Sequence, residues 1–88
     1  MDFDWDDANL EHIARHDVDD LEAEDALMDE DGRELSKIVV GRETRFAYLG
    51  RTEAGRLLAV ITTIRNGKIR IVTARDADDR EKRMYRRA

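Results

Sequence analysis

The first third of the chain carries apolar residues at helical spacing. Residues 7–16 place them on one face of a short amphipathic helix, and a second helix is predicted from about residue 20 to residue 28. Asp19 and Glu22 form the capping box that starts this second helix. Ahead of both helices, residues 2–6 alternate aspartate with aromatic side chains, which is the period of a short edge strand.

After residue 32 the apolar pattern becomes extended. Strands are predicted at residues 34–40, 44–49, 57–64 and 68–75. The third is apolar on both faces, as expected at the centre of a sheet, and Asn66-Gly67 supplies the two positive-φ residues of a type I′ hairpin before the fourth. Asp78 and Glu81 form another capping box, which opens a basic C-terminal helix that extends to Arg87.

The order of these elements predicts an α+β fold in a single domain over residues 1–88. A short N-terminal strand and two helices precede an antiparallel meander sheet, and a C-terminal helix completes the chain. With strict alternation in the last strand, Thr73 and Arg75 share one face of the sheet, while Arg70 lies on the other face with Arg45. A bulge near the end of that strand would bring the arginines to a common face.

Charge is separated along the sequence. Residues 1–31 hold fourteen acidic residues and one arginine, a net charge of −13, whereas residues 32–88 have a net charge of +8. Such asymmetry indicates either a basic surface that meets a polyanion or charged partner, or an acidic segment folded over the basic one. Charge alone leaves both arrangements open.

Several function classes are excluded by what the sequence lacks. Without cysteine the chain has no disulfide, thiolate metal site or thiol nucleophile. The longest apolar run is too short to cross a bilayer, so we expect a cytoplasmic protein with no membrane contact. The alternating aspartates lack the glycine and distal glutamate of a calcium loop, and His12 and His16 lack a third ligand, so we expect neither a metal nor another cofactor.

Several fragments together resemble a known family. They are Trp5-Asp6-Asp7, Arg15-His16-Asp17-Val18, Leu49-Gly50-Arg51-Thr52, Gly55-Arg56-Leu57-Leu58 and, most specifically, Arg70-Ile71-Val72-Thr73-Ala74-Arg75 followed by Glu81 and Tyr85. Over nearly its whole length the chain is similar to the BrnT toxins, small ribonucleases of type II toxin–antitoxin systems with a RelE-like fold. One departure is Asp17, where the family pattern typically has glycine.

The resemblance implies an RNA substrate, a cognate DNA-binding antitoxin that neutralises the toxin, and a hetero-oligomer of the two. RNA cleavage without metal needs a base for the 2′-hydroxyl, cations for the phosphorane and an acid for the leaving oxygen. The candidate catalytic residues are Arg70, Thr73, Arg75, Glu81 and Tyr85. Glu81 is the candidate base, and Tyr85 either positions it or acts as the acid. The candidate RNA-binding residues are Arg15, His16, Arg45 and Arg51.

Structural roles compete with these assignments. Glu81 is also a capping-box residue, Tyr85 also suits a core anchor, and Arg70 could pair with the acidic helices. A second hypothesis is therefore a non-catalytic protein-binding domain derived from the toxin fold, whose basic face docks an acidic segment. Nucleic-acid binding without cleavage is a third, but only five aromatic residues are present and Phe46 and Tyr48 look like sheet-face residues, which leaves little for base stacking.

Overall fold

The computed structural model describes residues 2–86, so Arg87 of the predicted C-terminal helix lies outside the described residues. The elements follow one another in the order α1 (Asp7–Ala14), α2 (Asp20–Leu27), β1 (Arg33–Val40), β2 (Glu43–Arg51), β3 (Leu57–Arg65), β4 (Lys68–Asp76) and α3 (Asp79–Arg86). The predicted α+β class is confirmed, with three helices and four strands in this part of the chain. None of these helices is long and apolar enough to cross a membrane.

The four strands form one antiparallel sheet in the order β1-β2-β3-β4, so each strand pairs with its neighbour in the sequence. Asn66 and Gly67 connect β3 to β4 with φ of 53° and 74°, the positive values that the predicted type I′ turn requires. The predicted N-terminal strand is wrong, because Phe3 forms only an isolated bridge to Ile69 in β4. The segment has no room for a longer ladder, since Asp6 already caps α1.

Helices cover both faces of the sheet because β3 presents apolar residues on each side. On one face, α1 and α2 pack through a core that includes Ile13, Val60 and Ile71. On the other face, α3 packs through a smaller core that includes Leu49 and Ala59. Val60 and Ala59 are adjacent in β3 and serve opposite cores, which confirms that this strand is covered on both sides.

Three local features position the helices on the sheet. The capping box of Asp19 and Glu22 forms as predicted at the start of α2. Asp17, in the turn before it, has a φ of 60°, a left-handed conformation that glycine adopts without strain. Gly50 of β2 lies against α2 so closely that a Cβ would be 1.8 Å from the carbonyl oxygen of Ala26, and only glycine allows this contact.

A β-bulge in β4 changes which of its residues share a face. Ile61 of β3 pairs with Thr73, but its neighbour Thr62 pairs with Ile71, which leaves Val72 unpaired. Ile71 therefore stays in the core beneath α1 and α2, while Thr73 two residues later belongs to the opposite face.

Candidate active site

The bulge collects three of the predicted catalytic residues on one face of the sheet. Arg70, Thr73 and Arg75 pair with three alternate residues of β3. These partners are Thr63, Ile61 and Ala59 respectively. Residues directly opposite in antiparallel strands share a face, and alternate residues of β3 do so as well. We name this surface, which Arg70, Thr73 and Arg75 define and α3 covers at one end, the arginine face.

Arg75 is held by Glu81 of α3. Its two terminal nitrogens donate to the two carboxylate oxygens of Glu81 at 2.7 and 3.0 Å. Glu81, which is 9% exposed, also accepts a hydrogen bond from the backbone N–H of Asp78 at 2.9 Å, so the predicted capping box is present. The Arg75 guanidinium holds the pKa of Glu81 below its ordinary value, and Glu81 in turn raises the pKa of Arg75. A carboxylate with a lowered pKa is a weaker base, so this geometry favours Glu81 as the group that orients Arg75.

Arg70 is paired with the N-terminal segment. Its Nη2 donates to Asp6 Oδ1 at 3.1 Å. Its Nη1 lies 3.0 Å from Asp6 Oδ2 and 3.7 Å from Asp4 Oδ1, close enough for ionic attraction but without hydrogen-bond geometry. The hydrogen bond from Arg70 lowers the pKa of Asp6. Arg70 therefore also has a structural role, because carboxylates from the acidic residues 1–31 pair with it at the edge of the sheet.

Asn9 fixes this acidic segment against β4. Its side chain is buried, and its amide nitrogen donates to the carbonyl oxygens of Asp4 at 2.9 Å and Ile71 at 3.1 Å. Its Oδ1 accepts from the backbone N–H of Asp6 at 2.8 Å. One side chain thus links α1, the N-terminal segment and the strand beside the bulge. The sequence alone does not reveal this role, because an asparagine in the first turn of a helix signals only a local cap.

Tyr85 is bonded to Asp29 and not to Glu81. Its hydroxyl donates to Asp29 Oδ2 at 2.6 Å, and the Arg51 guanidinium carbon lies 5.1 Å from the centre of its ring. Burial raises the pKa of Asp29, but hydrogen bonds from Tyr85 and from the backbone N–H of Arg51 outweigh burial and leave that pKa below its ordinary value. The bond to Asp29 also raises the pKa of Tyr85. Tyr85 and Arg51 therefore both bind Asp29, which lies in the segment that follows α2.

The other predicted RNA-binding residues do not lie together. Arg45 of β2 pairs with Thr63, the residue of β3 that also pairs with Arg70, so Arg45 belongs to the arginine face. Its Nη2 lies 3.4 Å from Oε2 of Glu43. Arg15 and His16 are exposed at the end of α1, which packs on the opposite face of the sheet. The structure thus brings Arg45 to the arginine face and leaves the α1 pair outside it.

Arg56 connects three parts of the fold, a role that the sequence alone does not reveal. Its guanidinium donates to the two carboxylate oxygens of Asp76 at 2.7 and 3.3 Å and to Glu22 Oε2 at 3.1 Å. It also donates to the carbonyl oxygens of His16 and Asp17, in the turn between α1 and α2. The bond to Asp76 raises the pKa of Arg56 and lowers that of Asp76. The one sequence signal for Arg56 is its place in Gly55-Arg56-Leu57-Leu58, a fragment that contributes to the family resemblance.

The two faces of the sheet carry opposite charge. The helices α1 and α2 with the turn between them hold more than half of the acidic residues of the first third, and they pack on one face. The arginine face and the basic α3 are on the other. Three acidic residues outside these helices contact the basic side: Asp4 and Asp6 reach Arg70, and Asp29 accepts a hydrogen bond from Tyr85 of α3. Among residues 2–86, no group of three or more His, Cys, Asp and Glu is arranged to hold a metal ion.

Comparison with known proteins identifies the family. The model of the ribonuclease toxin BrnT of type II toxin–antitoxin systems matches residues 5–81. This range includes the whole arginine face and Glu81, whereas Tyr85 lies beyond it. A search of curated proteins returned no significant match. Because the match covers most of the chain, the protein belongs to the BrnT family of ribonuclease toxins from type II toxin–antitoxin systems.

Proposed function

We propose that this protein is a metal-independent endoribonuclease toxin that a cognate antitoxin neutralises. The observation that carries the proposal is the bulge that brings Arg70, Thr73 and Arg75 to one face of the sheet within the range of the family match. A RelE-like arrangement of one domain over residues 1–88 belongs to the same proposal. So does a cytoplasmic location, because the RNA substrate is found there.

Arg75 is the proposed principal phosphate-binding group. Its guanidinium uses three N–H groups, two on Glu81 and one on the carbonyl oxygen of Asp76 at 3.1 Å. Arginine has five N–H donors, so two stay available for the oxygens of a phosphodiester. The side chain is 44% exposed, which leaves room for RNA to approach. Because Glu81 holds the guanidinium in place, its charge is oriented before the phosphorane forms, and such preorganised charge stabilises a transition state strongly.

Arg70 and Thr73 complete the proposed site. Arg70 is only 14% exposed and is already paired with Asp6, so bound RNA exchanges a carboxylate contact for a phosphate contact at this residue. Thr73, two residues before Arg75 on the same face, can donate its hydroxyl to the same phosphodiester. Catalysis then relies mainly on cationic stabilisation of the phosphorane, and Glu81 contributes as a positioning residue that acts through Arg75.

Cleavage by the purified full-length chain in EDTA tests this proposal. Attack by the 2′-hydroxyl yields products with 2′,3′-cyclic phosphate and 5′-hydroxyl ends, and RNA carrying 2′-O-methyl groups should stay intact. Arg75→Ala should lower the cleavage rate about 100-fold or more, in line with the loss of one charge-stabilising group, without lowering the melting temperature enough to unfold the protein. Intact RNA at low salt, in the presence of folded protein, contradicts the proposal.

The proposed antitoxin is a small DNA-binding protein that forms a hetero-oligomer with the toxin. The product of a neighbouring reading frame is the candidate for this partner. It should co-purify with the chain, and the complex should not cleave RNA. Cleavage by the intact complex at the rate of the free chain contradicts this part of the proposal.

A non-catalytic protein-binding domain is the second candidate function. It is favoured by the pairing of Arg70 and Arg75 with carboxylates, which shows that the arginine face accommodates acidic groups. A synthetic acidic peptide distinguishes the two functions. If the chain binds this peptide, loses the binding with Arg75→Ala and leaves RNA intact, the second candidate replaces the first.

A further inference from the structure

A cationic pocket lies beside α3, near the turn that joins β2 to β3. Its volume is about 470 Å³. Arg51 at the end of β2 and Lys82 and Arg86 of α3 line it, together with Arg56 and Asp76. Lys82 and Arg86 are four residues apart, so they are neighbours on one face of the helix. The function proposed above makes no use of these two residues.

The pocket carries more positive charge than its carboxylates balance. Its only acidic lining residue is Asp76, and the Nε of Arg56 already lies 2.7 Å from that carboxylate. Among the described residues 2–86, no carboxylate oxygen lies within 4.0 Å of the charged nitrogens of Arg51, Lys82 or Arg86. The four cations of the lining, set against Asp76 and the Glu22 carboxylate that also binds Arg56, leave a formal charge of +2. Like charges that converge in a concave surface raise the local potential and attract an anion.

Two of the cations are held in position before any ligand binds. Arg51 Nη1 donates to the carbonyl oxygen of Gly55 at 3.0 Å, and its guanidinium lies over the ring of Tyr85. Arg56 is fixed by Asp76 and by the turn between α1 and α2. Donors that are already ordered lose little conformational entropy when they bind, so they favour affinity.

We infer that this pocket binds a phosphate of the RNA backbone other than the scissile one. The two sites lie at the same end of β4, where Arg75 of the arginine face precedes Asp76 of the pocket. Helix α3 also links them, because Glu81 binds Arg75 and the next residue, Lys82, lines the pocket. An RNA strand held at the arginine face therefore passes close to the pocket. The inference rests on the proposed function for the identity of the polyanion, whereas the affinity of the pocket for phosphate does not depend on cleavage.

A matched pair of double variants of the full-length chain tests the inference. Lys82→Gln with Arg86→Gln removes one lysine and one arginine from the pocket. Lys37→Gln with Arg42→Gln removes the same charges from exposed positions near the turn between β1 and β2, at the opposite end of the sheet. The probe is a short RNA that carries 2′-O-methyl groups throughout, and its affinity is measured by fluorescence anisotropy over a range of salt concentrations.

The pocket variant should bind the RNA about tenfold more weakly than the unmodified chain. The slope of the logarithm of its binding constant against the logarithm of the salt concentration should be shallower by about 0.7 for each lost phosphate contact. The control variant should lose less than about twofold, because distant exposed charges are screened at these salt concentrations. Equal losses in the two variants overturn the inference, since they show general attraction in place of a defined site. Thermal melts verify that both variants are folded, as expected for glutamine at exposed positions.

Titration with inorganic phosphate separates the pocket from the proposed function. In NMR spectra, phosphate should shift the amide signals of Lys82 and Arg86 in the unmodified chain. If phosphate shifts them but the pocket variant binds the RNA normally, the pocket accepts free phosphate only and the inference is wrong. If the chain does not cleave RNA in EDTA but the pocket variant still loses affinity, the pocket is supported and the nuclease proposal alone fails.

Discussion

Replacement of Glu81 by glutamine separates its ionic role from its capping role. Glutamine has nearly the same shape and keeps an oxygen that accepts the Asp78 N–H, but it removes the charge that faces Arg75. Because Arg75 is 44% exposed, the lost ion pair is screened, and we expect Glu81→Gln to lower the free energy of unfolding by about 1 kcal/mol. Glu81→Ala also removes the reciprocal half of the capping box, which adds about 1 kcal/mol.

The pH dependence of this loss tests its cause. The pKa of Glu81 is lowered by folding, so the ion pair stabilises the protein above the ordinary value of 4.5 and the stabilisation is lost as the pH falls through the folded value. Glutamine does not titrate, so the difference in unfolding free energy between the unmodified chain and Glu81→Gln should be full at pH 7 and should shrink as the pH falls below 4.5.

Urea unfolding followed by circular dichroism, at several pH values from 3 to 7, measures this difference. A Glu81→Gln variant as stable as the unmodified chain at pH 7 would refute the ionic contribution. A difference that persists unchanged at pH 3 would show that the loss comes from packing. The pH–rate profile of RNA cleavage adds a functional readout. Replacing a general base should remove an ionisation from the profile, whereas replacing a positioning residue should lower the rate at every pH.

Three further substitutions test the framework of the site through thermal and urea unfolding. Asn9→Ala should lower the free energy of unfolding by about 2–4 kcal/mol, because two carbonyl oxygens and one backbone N–H lose their hydrogen bonds to the buried Asn9 side chain. A loss below about 1 kcal/mol would contradict that network. Gly50→Ala should prevent stable packing of α2, since its Cβ would meet the Ala26 carbonyl oxygen at 1.8 Å, and a native-like melt would refute this close approach. Asp17→Ala should cost about 1 kcal/mol while Asp17→Gly costs less, because Asp17 has a φ of 60°; equal effects of the two changes would argue against left-handed strain.

Local signals predicted most of the secondary structure. Asn66-Gly67 and the capping boxes depend only on residues close in sequence, so the hairpin and the helix starts follow from the sequence alone. The apolar pattern of β3 predicted a strand covered on both faces, as the two cores confirm. The prediction of an N-terminal strand was wrong because alternation over a few residues does not determine how many of them pair with a neighbouring strand.

The candidate site depends on contacts that sequence patterns do not encode. Val72 is left unpaired by the register between β3 and β4, and nothing about a valine signals a bulge. Tyr85 reaches Asp29 across 56 residues, and Asn9 reaches the Ile71 carbonyl oxygen across 62 residues. Such pairings depend on how the sheet and helices assemble, so the sequence could suggest the members of the site but not their partners.

The charge separation, by contrast, has a simple structural counterpart. Acidic residues concentrate on the helices of one sheet face and basic residues on the other, which follows from their order along the chain once α1 and α2 pack together. The exceptions are Asp4 and Asp6, which pair with Arg70, and Asp29, which accepts a hydrogen bond from Tyr85 of α3. The sequence suggested that Arg70 pairs with the acidic helices, but Asp4 and Asp6 precede α1, and the bridge between Phe3 and Ile69 brings their segment to β4.

Arg75→Lys is the sharpest test of whether a guanidinium on the arginine face holds the phosphodiester during cleavage. Lysine keeps the positive charge but cannot make the paired contacts of an arginine. Single-turnover cleavage of RNA in EDTA should slow at least about tenfold with Arg75→Lys, while Arg42→Lys, at an exposed turn, should leave the rate unchanged. An Arg75→Lys chain that cleaves at the unmodified rate would show that the reaction does not need a guanidinium at this position.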